Sequence, residues 1–223
     1  MSKLALILGF GPGISYAFAE TLVNNGYAVA VASRNLEKTT NLASTIGAVP
    51  FQADASSIEN IQQLFNDVAT RFGNDPDVVL FNPSSRVRGD FTSIDPHLAA
   101  HAIQTSAIGG FVFAQEAAKR MSPKKKGAIF FTGATASVKG FPKSATFAMG
   151  KFALRGLAQS LAKELGPEGI HVAHFVIDGG VKDEGTADEF TSRNIAQSYY
   201  AVLQQPPGAW TWELELRSKD EKF

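Results

Sequence analysis

Cysteine is absent from this 223-residue chain, which excludes disulfides, thiolate metal ligands and a cysteine nucleophile. Long apolar runs are missing as well. The segment Leu4–Leu8 is five residues long, too short for a signal-peptide core or a membrane span, and no other run approaches span length. Neither sign of charge is in excess, with 21 Lys+Arg against 21 Asp+Glu. No electrostatic footprint therefore argues for nucleic acid or an anionic membrane as a partner. The lysine run Lys124–Lys126, between Pro123 and Gly127, reads as a solvated turn. What remains is a globule with 44% apolar residues, long enough to bury a sizeable core. One domain over residues 1–223, in a reducing cytosol, is the expectation.

What is present is an alternation. Leu4–Leu8, Tyr27–Ala32, Val49–Ala53, Val78–Phe81, Ala128–Thr132 and His171–Ile177 are short runs, mostly apolar throughout. That pattern suits parallel strands covered on both faces. Helical periodicity fills the gaps at Ile14–Asn25, Leu36–Ile46, Ser57–Phe72, about His97–Met121 and Ser144–Leu165. Gly26, Gly47, Gly73 and Gly166 follow four of these, where left-handed C-caps are expected. A helix near Asn194–Gln204 and a last strand at Trp210–Leu216 complete the series. The alternation predicts an α/β fold, a Rossmann-like doubly wound parallel sheet of about seven strands flanked by helices, with its ligand at the carboxyl ends of the strands.

The first strand runs directly into Gly9-Phe10-Gly11-Pro12-Gly13-Ile14-Ser15 and then a helix. Glycines there permit a sharp turn and close approach to a pyrophosphate, whose charge suits the helix start. The second strand ends Ser33-Arg34, without the acid that would hold the adenine ribose hydroxyls of NAD(H). Arginine offers a planar charged fork for a 2′-phosphate, so NADP(H) is expected over NAD(H). Asp54, closing the third strand, either meets the adenine or caps the next helix with Ser56.

These features resemble the short-chain dehydrogenase/reductase family over nearly the whole chain. Gly9 and Gly13 match the first two glycines of GxxxGxG, and Ser15 stands at the third. "DVVLFNPSS" is similar to the fourth strand and its NNAG turn, with Asn82 retained. "GAIFFTGATAS" is similar to the strand carrying the family's serine. "FAMGKFALRGLAQSLAKELGPEGIHVAHFVIDGG" is similar to the active-site helix and sixth strand, with Asp178-Gly179 in place of Pro-Gly. Carried over, the family's tyrosine falls on Phe147, its serine on Ala134 and its helix asparagine on Ser106, while Lys151 is kept. The resemblance implies that Lys151 binds the nicotinamide ribose, with Gly9, Gly11, Gly13, Ile14, Ser33, Arg34, Asp54, Asn82 and Gly179 around the cofactor. It places the chain in a branch with phenylalanine for tyrosine and a deviant glycine loop. "GFGPGISYA" also fits G-x5-S-x-A of the enoyl-thioester reductases, whose tyrosine position is Ser144 here. The competing reading of Lys151, four residues from Phe147 on one helical face, is a surface stem lying on an aromatic.

Two functions stand. One is an NADP(H)-dependent oxidoreductase that reduces a C=N, C=C or activated carbonyl by a non-standard proton route. The other is a catalytically retired NADP(H)-binding sensor or partner protein, whose substrate pocket would be filled rather than concave. Ser84, Ser85, Thr135, Ser137, Ser144, Asp178, His97 and His101 are candidate proton donors, and each also suits a capping or turn role. His97 and His101 lack a third ligand for a metal. Arg86 and Arg88 either face an anionic substrate or lie in a solvated loop. Residues 181–194 are expected to form a lid. Family habit implies a homo-dimer or homo-tetramer through helices near 97–121 and 144–166.

Overall fold

The structure, a computed structural model, describes residues 3–221. Seven strands, β1 (Leu4–Leu8), β2 (Ala28–Ser33), β3 (Val49–Gln52), β4 (Val78–Phe81), β5 (Gly127–Thr132), β6 (Ile170–Asp178) and β7 (Glu213–Arg217), form one sheet in the order β3-β2-β1-β4-β5-β6-β7. Every neighbouring pair is parallel. Helices α1 (Ile14–Asn24), α2 (Leu36–Ser44), α3 (Ile58–Phe72), α4 (Pro96–Ile103), α5 (Gly109–Met121), α6 (Ala145–Leu165) and α7 (Ser192–Leu203) connect them.

Alternation along the strands sorts two cores. Leu4, Leu6 and Leu8 of β1 face the layer of α3, α5 and α6, with Phe65, Phe113 and Leu154. Ala5 and Ile7 face the opposite layer of α1 and α7, with Phe18 and Tyr199. Burial on both faces explains why these strands read as unbroken apolar runs. The strand order reverses between β1 and β4, and a crevice opens at their carboxyl ends, as doubly wound sheets require.

Three expectations shift. The stretch expected as one helix near 97–121 is α4 and α5 joined by a π-helical turn at Gln104–Ile108, a wide turn that often marks a functional position in a helix. Gly26, Gly47 and Gly73 do have positive φ, but Gly166 has φ −55° and opens a 3₁₀ turn (Gly166–Glu168). The left-handed residue is Gly169, because Pro167 suits the start of that extra turn. The last strand begins at Glu213 rather than Trp210. The Trp210 ring instead stacks on His171, 4.8 Å between centroids, and its Nε1 donates to the Gln205 carbonyl.

Candidate functional site

The glycine loop lies at the sheet's switch point, and its chemistry explains Ser15. That buried hydroxyl accepts from the Gly11 N–H and donates to the Gly11 carbonyl, both at 3.1 Å. A serine at the third glycine position thus braces the loop from within. Gly9 has φ +83°, and a Cβ there would stand 2.6 Å from the Pro83 nitrogen. A Cβ on Gly11 would meet nothing within 4 Å, while one on Gly13 (φ +101°) would stand 3.4 Å from Ser192 Oγ and 3.3 Å from Asp183 Oδ1. Ser192 Oγ, at the start of α7, is buried without a hydrogen-bond partner among the described residues.

Beside this loop is a cavity of about 420 Å³ lined by Gly9, Ser33, Arg34, Asp54, Asn82 and His101, among others. Arg34 is exposed on its rim. Asp54 uses Oδ1 to accept from the Ser56 N–H at 2.9 Å and its hydroxyl at 2.8 Å. Partial burial pushes the Asp54 pKa up, but the Ser56 hydrogen bonds and the Arg34 and His101 charges outweigh it and hold the carboxyl below its ordinary range. The cap of α3 is Ser57, not Asp54. Asn82 ties the two sides of the crevice, Nδ2 donating to the Gly9 carbonyl at 3.0 Å.

A second cavity, about 430 Å³, opens beyond Asn82. Phe147, Lys151, Ala134, Thr135, Ile14, Gly179, Ser84 and Arg86 line it. The α6 periodicity puts Phe147 and Lys151 one turn apart on this face. Lys151 is no surface stem. It is 3% exposed, and Nζ donates to the Thr132 carbonyl at 2.7 Å. Burial lowers its pKa to about 8, because desolvation disfavours the charged form. Nζ also lies 5.8 Å from the Phe147 ring centre, and the Arg86 guanidinium covers that ring at 4.9 Å.

Ser106 does not line either cavity. It is buried in the π-helical turn, accepting from the Ser85 N–H at 3.1 Å. A Cβ on Gly150 would stand 2.7 Å from its Cβ, so the small side chain lets α6 approach. Among the other hydroxyls and histidines, Ser144 accepts from Arg86, and His101 lies at the first cavity. Among the described residues no group of three His, Cys, Asp or Glu could hold a metal, and no helix is long and apolar enough to cross a membrane.

Asp178 sits behind the second cavity rather than on it. Its Oδ1 accepts from Thr135 Oγ1 at 2.5 Å, and its Oδ2 pairs with Arg217 of β7. Thr135 therefore spends its only proton on a carboxylate and presents an acceptor to the cavity. A second chain runs alongside, from half-exposed Arg155 to buried His174 and Ser137. Arg155 forks onto Glu213 at 2.7 and 2.8 Å, and Glu213 meets His174 Nδ1 at 3.1 Å. His174 Nε2 faces Ser137 Oγ at 3.3 Å, and Ser137 Oγ accepts from the Ala134 N–H at 3.1 Å. Burial is the main force pulling the His174 pKa to about 4, against the Glu213 charge. A neutral ring protonated at Nδ1 satisfies both neighbours. Arg217, Glu213 and His174 were not singled out from sequence, since their pairings span 39 residues.

The sequence model of the family described as short chain dehydrogenase matches residues 3–193. The chain belongs to the short-chain dehydrogenase family. A short-chain dehydrogenase from Rhodopseudomonas palustris has the same fold at TM-score 0.85, with 32% identity over 96% of this chain and 98% of that one. An alcohol dehydrogenase from Thermococcus sibiricus, complexed with 5-hydroxy-NADP, superposes at TM-score 0.86 with 22% identity, covering 100% of this chain and 99% of its own. Short chain aldehyde dehydrogenase 1 of Euphorbia lathyris is 28% identical over 76% of this chain. The chain spans 61% of that relative's length. Phe147 and Ala134, the positions onto which the sequence resemblance carries the family's tyrosine and serine, both line the second cavity.

Proposed function

We propose that this short-chain dehydrogenase is an NADP(H)-dependent oxidoreductase that reduces a C=N, C=C or activated carbonyl without the usual serine and tyrosine. The observation that carries the reading is the second cavity. A retired binding protein is free to fill its substrate pocket, yet about 430 Å³ remains open between Lys151, Phe147, Ala134 and Arg86, within the range of working ligand sites. The chain's residues also fit the cofactor. Space above Gly11, the unpartnered Ser192 hydroxyl facing Gly13, and the helix start at Ile14 suit a pyrophosphate. The Asp183 carboxylate shares that space, so seating the phosphates requires this exposed side chain to turn away. Lys151 is assigned to the nicotinamide ribose and Arg34 to the 2′-phosphate.

When bound, NADPH supplies the hydride. The protein's part is to hold it against the substrate and supply charge. Among the described residues, the donors facing this cavity are Arg86, Lys151, Asn82 and Ser84, while the Thr135 proton is committed to Asp178. A polarised C=C takes its proton from water after hydride addition, and an iminium needs none.

Two measurements test the reading. Calorimetry is expected to show NADPH binding more tightly than NADH, with Arg34→Ala removing most of the difference. A charge-assisted contact of this kind is worth roughly 1.5–3 kcal/mol, about ten- to a hundredfold. Equal affinities would overturn the cofactor choice. Turnover of activated alkenes, imines or activated carbonyls with NADPH would then separate an enzyme from a protein that only binds.

A further inference from the structure

The geometry points to Arg86 as a built anchor for a substrate anion, so that the molecule reduced here carries a carboxylate or phosphate close to its reducible bond. This rests on the reductase reading and narrows its substrate class. The alternative, a solvated loop, does not fit how residues 85–87 are held. Thr146 Oγ1, buried in α6, accepts from the Val87 N–H and donates to the Val87 carbonyl, both at 3.1 Å. On the other side, the Ser85 N–H donates to Ser106 Oγ at 3.1 Å. Arg86 is therefore presented from a backbone clamped at both neighbours. Its side chain is fixed too, with Nη2 donating to the buried Ser144 hydroxyl at 2.8 Å and the guanidinium lying 4.9 Å from the Phe147 ring centre.

Arg86 is exposed at the cavity, so its order comes from these contacts rather than from burial. Arg86 has no ion-pair partner among the described residues, and one hydrogen bond to Ser144 leaves most of its five donors for a ligand. Among the described residues no carboxylate lines the cavity, and its charged groups are Arg86 and Lys151. Arg88 and Lys143 continue the positive rim in the adjoining recess that Arg86 shares. Lys143 is paired with Asp90 at 3.1 Å and Lys151 Nζ is held on the Thr132 carbonyl, which leaves Arg86 as the cavity cation with most donors open. Two cations without a counter-charge disfavour an iminium, which is itself positive, and favour an anionic acceptor. A planar fork matches carboxylate or phosphate in bidentate fashion.

The test uses NADPH-saturated protein, so that phosphate sites of the cofactor are filled. Benzoylformate is titrated against its methyl ester, and phenyl phosphate against phenol, with binding read by calorimetry. Each acid is expected to bind about ten- to a hundredfold more tightly than its neutral partner, the gain of a charge-assisted contact. The stronger arm identifies carboxylate or phosphate as the group served. Arg86→Gln is expected to abolish the preference and Arg86→Lys to retain part of it, whereas Arg88→Gln keeps most. Unchanged thermal unfolding confirms that Arg86→Gln is folded. Equal binding of acid and ester to the wild type, or a preference that survives Arg86→Gln, would overturn the proposal. The same titrations without NADPH separate the two readings. Absence of NADPH binding sinks the cofactor assignment alone, while an acid preference lost with Arg86→Gln stands without it.

Discussion

Phe147→Tyr combined with Ala134→Ser is expected to raise NADPH-dependent reduction of small activated ketones or diketones well above the wild-type rate. A general acid contributes typically 10²–10⁴ in rate, about 3–5 kcal/mol of barrier, so a gain of about a hundredfold is the modest end. Both positions line the same open cavity, and each change adds one oxygen. Lys151, 5.8 Å from the ring centre, and Arg86, at 4.9 Å, would lower the new phenol's pKa by their charge. Ala134 is in extended backbone, φ −156° and ψ 172°, which a serine adopts without strain, and its N–H is already satisfied by Ser137. The paired change matters because acid and hydroxyl act on one substrate oxygen, so single variants recover less than their sum. Ketone reduction by the wild type as fast as by the double variant would refute the account of the missing acid. Silence of both proteins on ketones, activated alkenes and imines, with NADPH bound, would favour the retired binder.

Which parts were legible follows from how local each signal is. β1 and β4 read correctly to the residue because Leu4–Leu8 and Val78–Phe81 are buried on both faces, so apolar runs coincide with strand length. The α6 face was legible because four-residue spacing puts Phe147 and Lys151 in one cavity whatever surrounds them. Gly166 misled because a glycine after a helix also begins a further 3₁₀ turn, and only the distant Gly169 shows where the chain reverses. Asp178 was legible at its strand end with a donor role and a capping role both open, and its carboxylate in fact meets Arg217 and Thr135. Such pairings join β6 to β7 across 39 residues, and no periodicity encodes them. Ser106 shows the same limit: its position was readable by resemblance, but its work, holding the Ser85 N–H, depends on a loop that local pattern leaves shapeless.

The retained lysine makes the strongest stability prediction, because the cost of burying it can be switched off with pH. In the folded protein burial lowers the Lys151 pKa from 10.5 to about 8. Between those values the unfolded chain binds the proton and the folded one does not, so stability rises with pH across that window. Below about pH 8 both states are protonated and the wild type bears the full penalty, about 3 kcal/mol at 1.36 kcal/mol per pH unit. Lys151→Met keeps the stem's volume and has nothing to titrate. Its stability relative to wild type is therefore expected to fall by about 3 kcal/mol between pH 7 and pH 10.5, a relative change of about 6–12 °C in melting temperature for a chain of this size. Loss of the donor to the Thr132 carbonyl adds a cost of about 1–3 kcal/mol, but that cost is the same at every pH and leaves the slope untouched. Denaturant titrations of both proteins at the two pH values measure the difference, and other ionisable groups cancel in it. A flat difference would show that Lys151 titrates normally and is not held in a desolvated site. The same variant is expected to lose NADPH affinity. If it gains stability at pH 7 and binds NADPH as tightly as before, the ribose assignment fails. Stability gained with binding lost would mean that the chain keeps a charged lysine in its core for a ligand, at a cost the fold alone does not require.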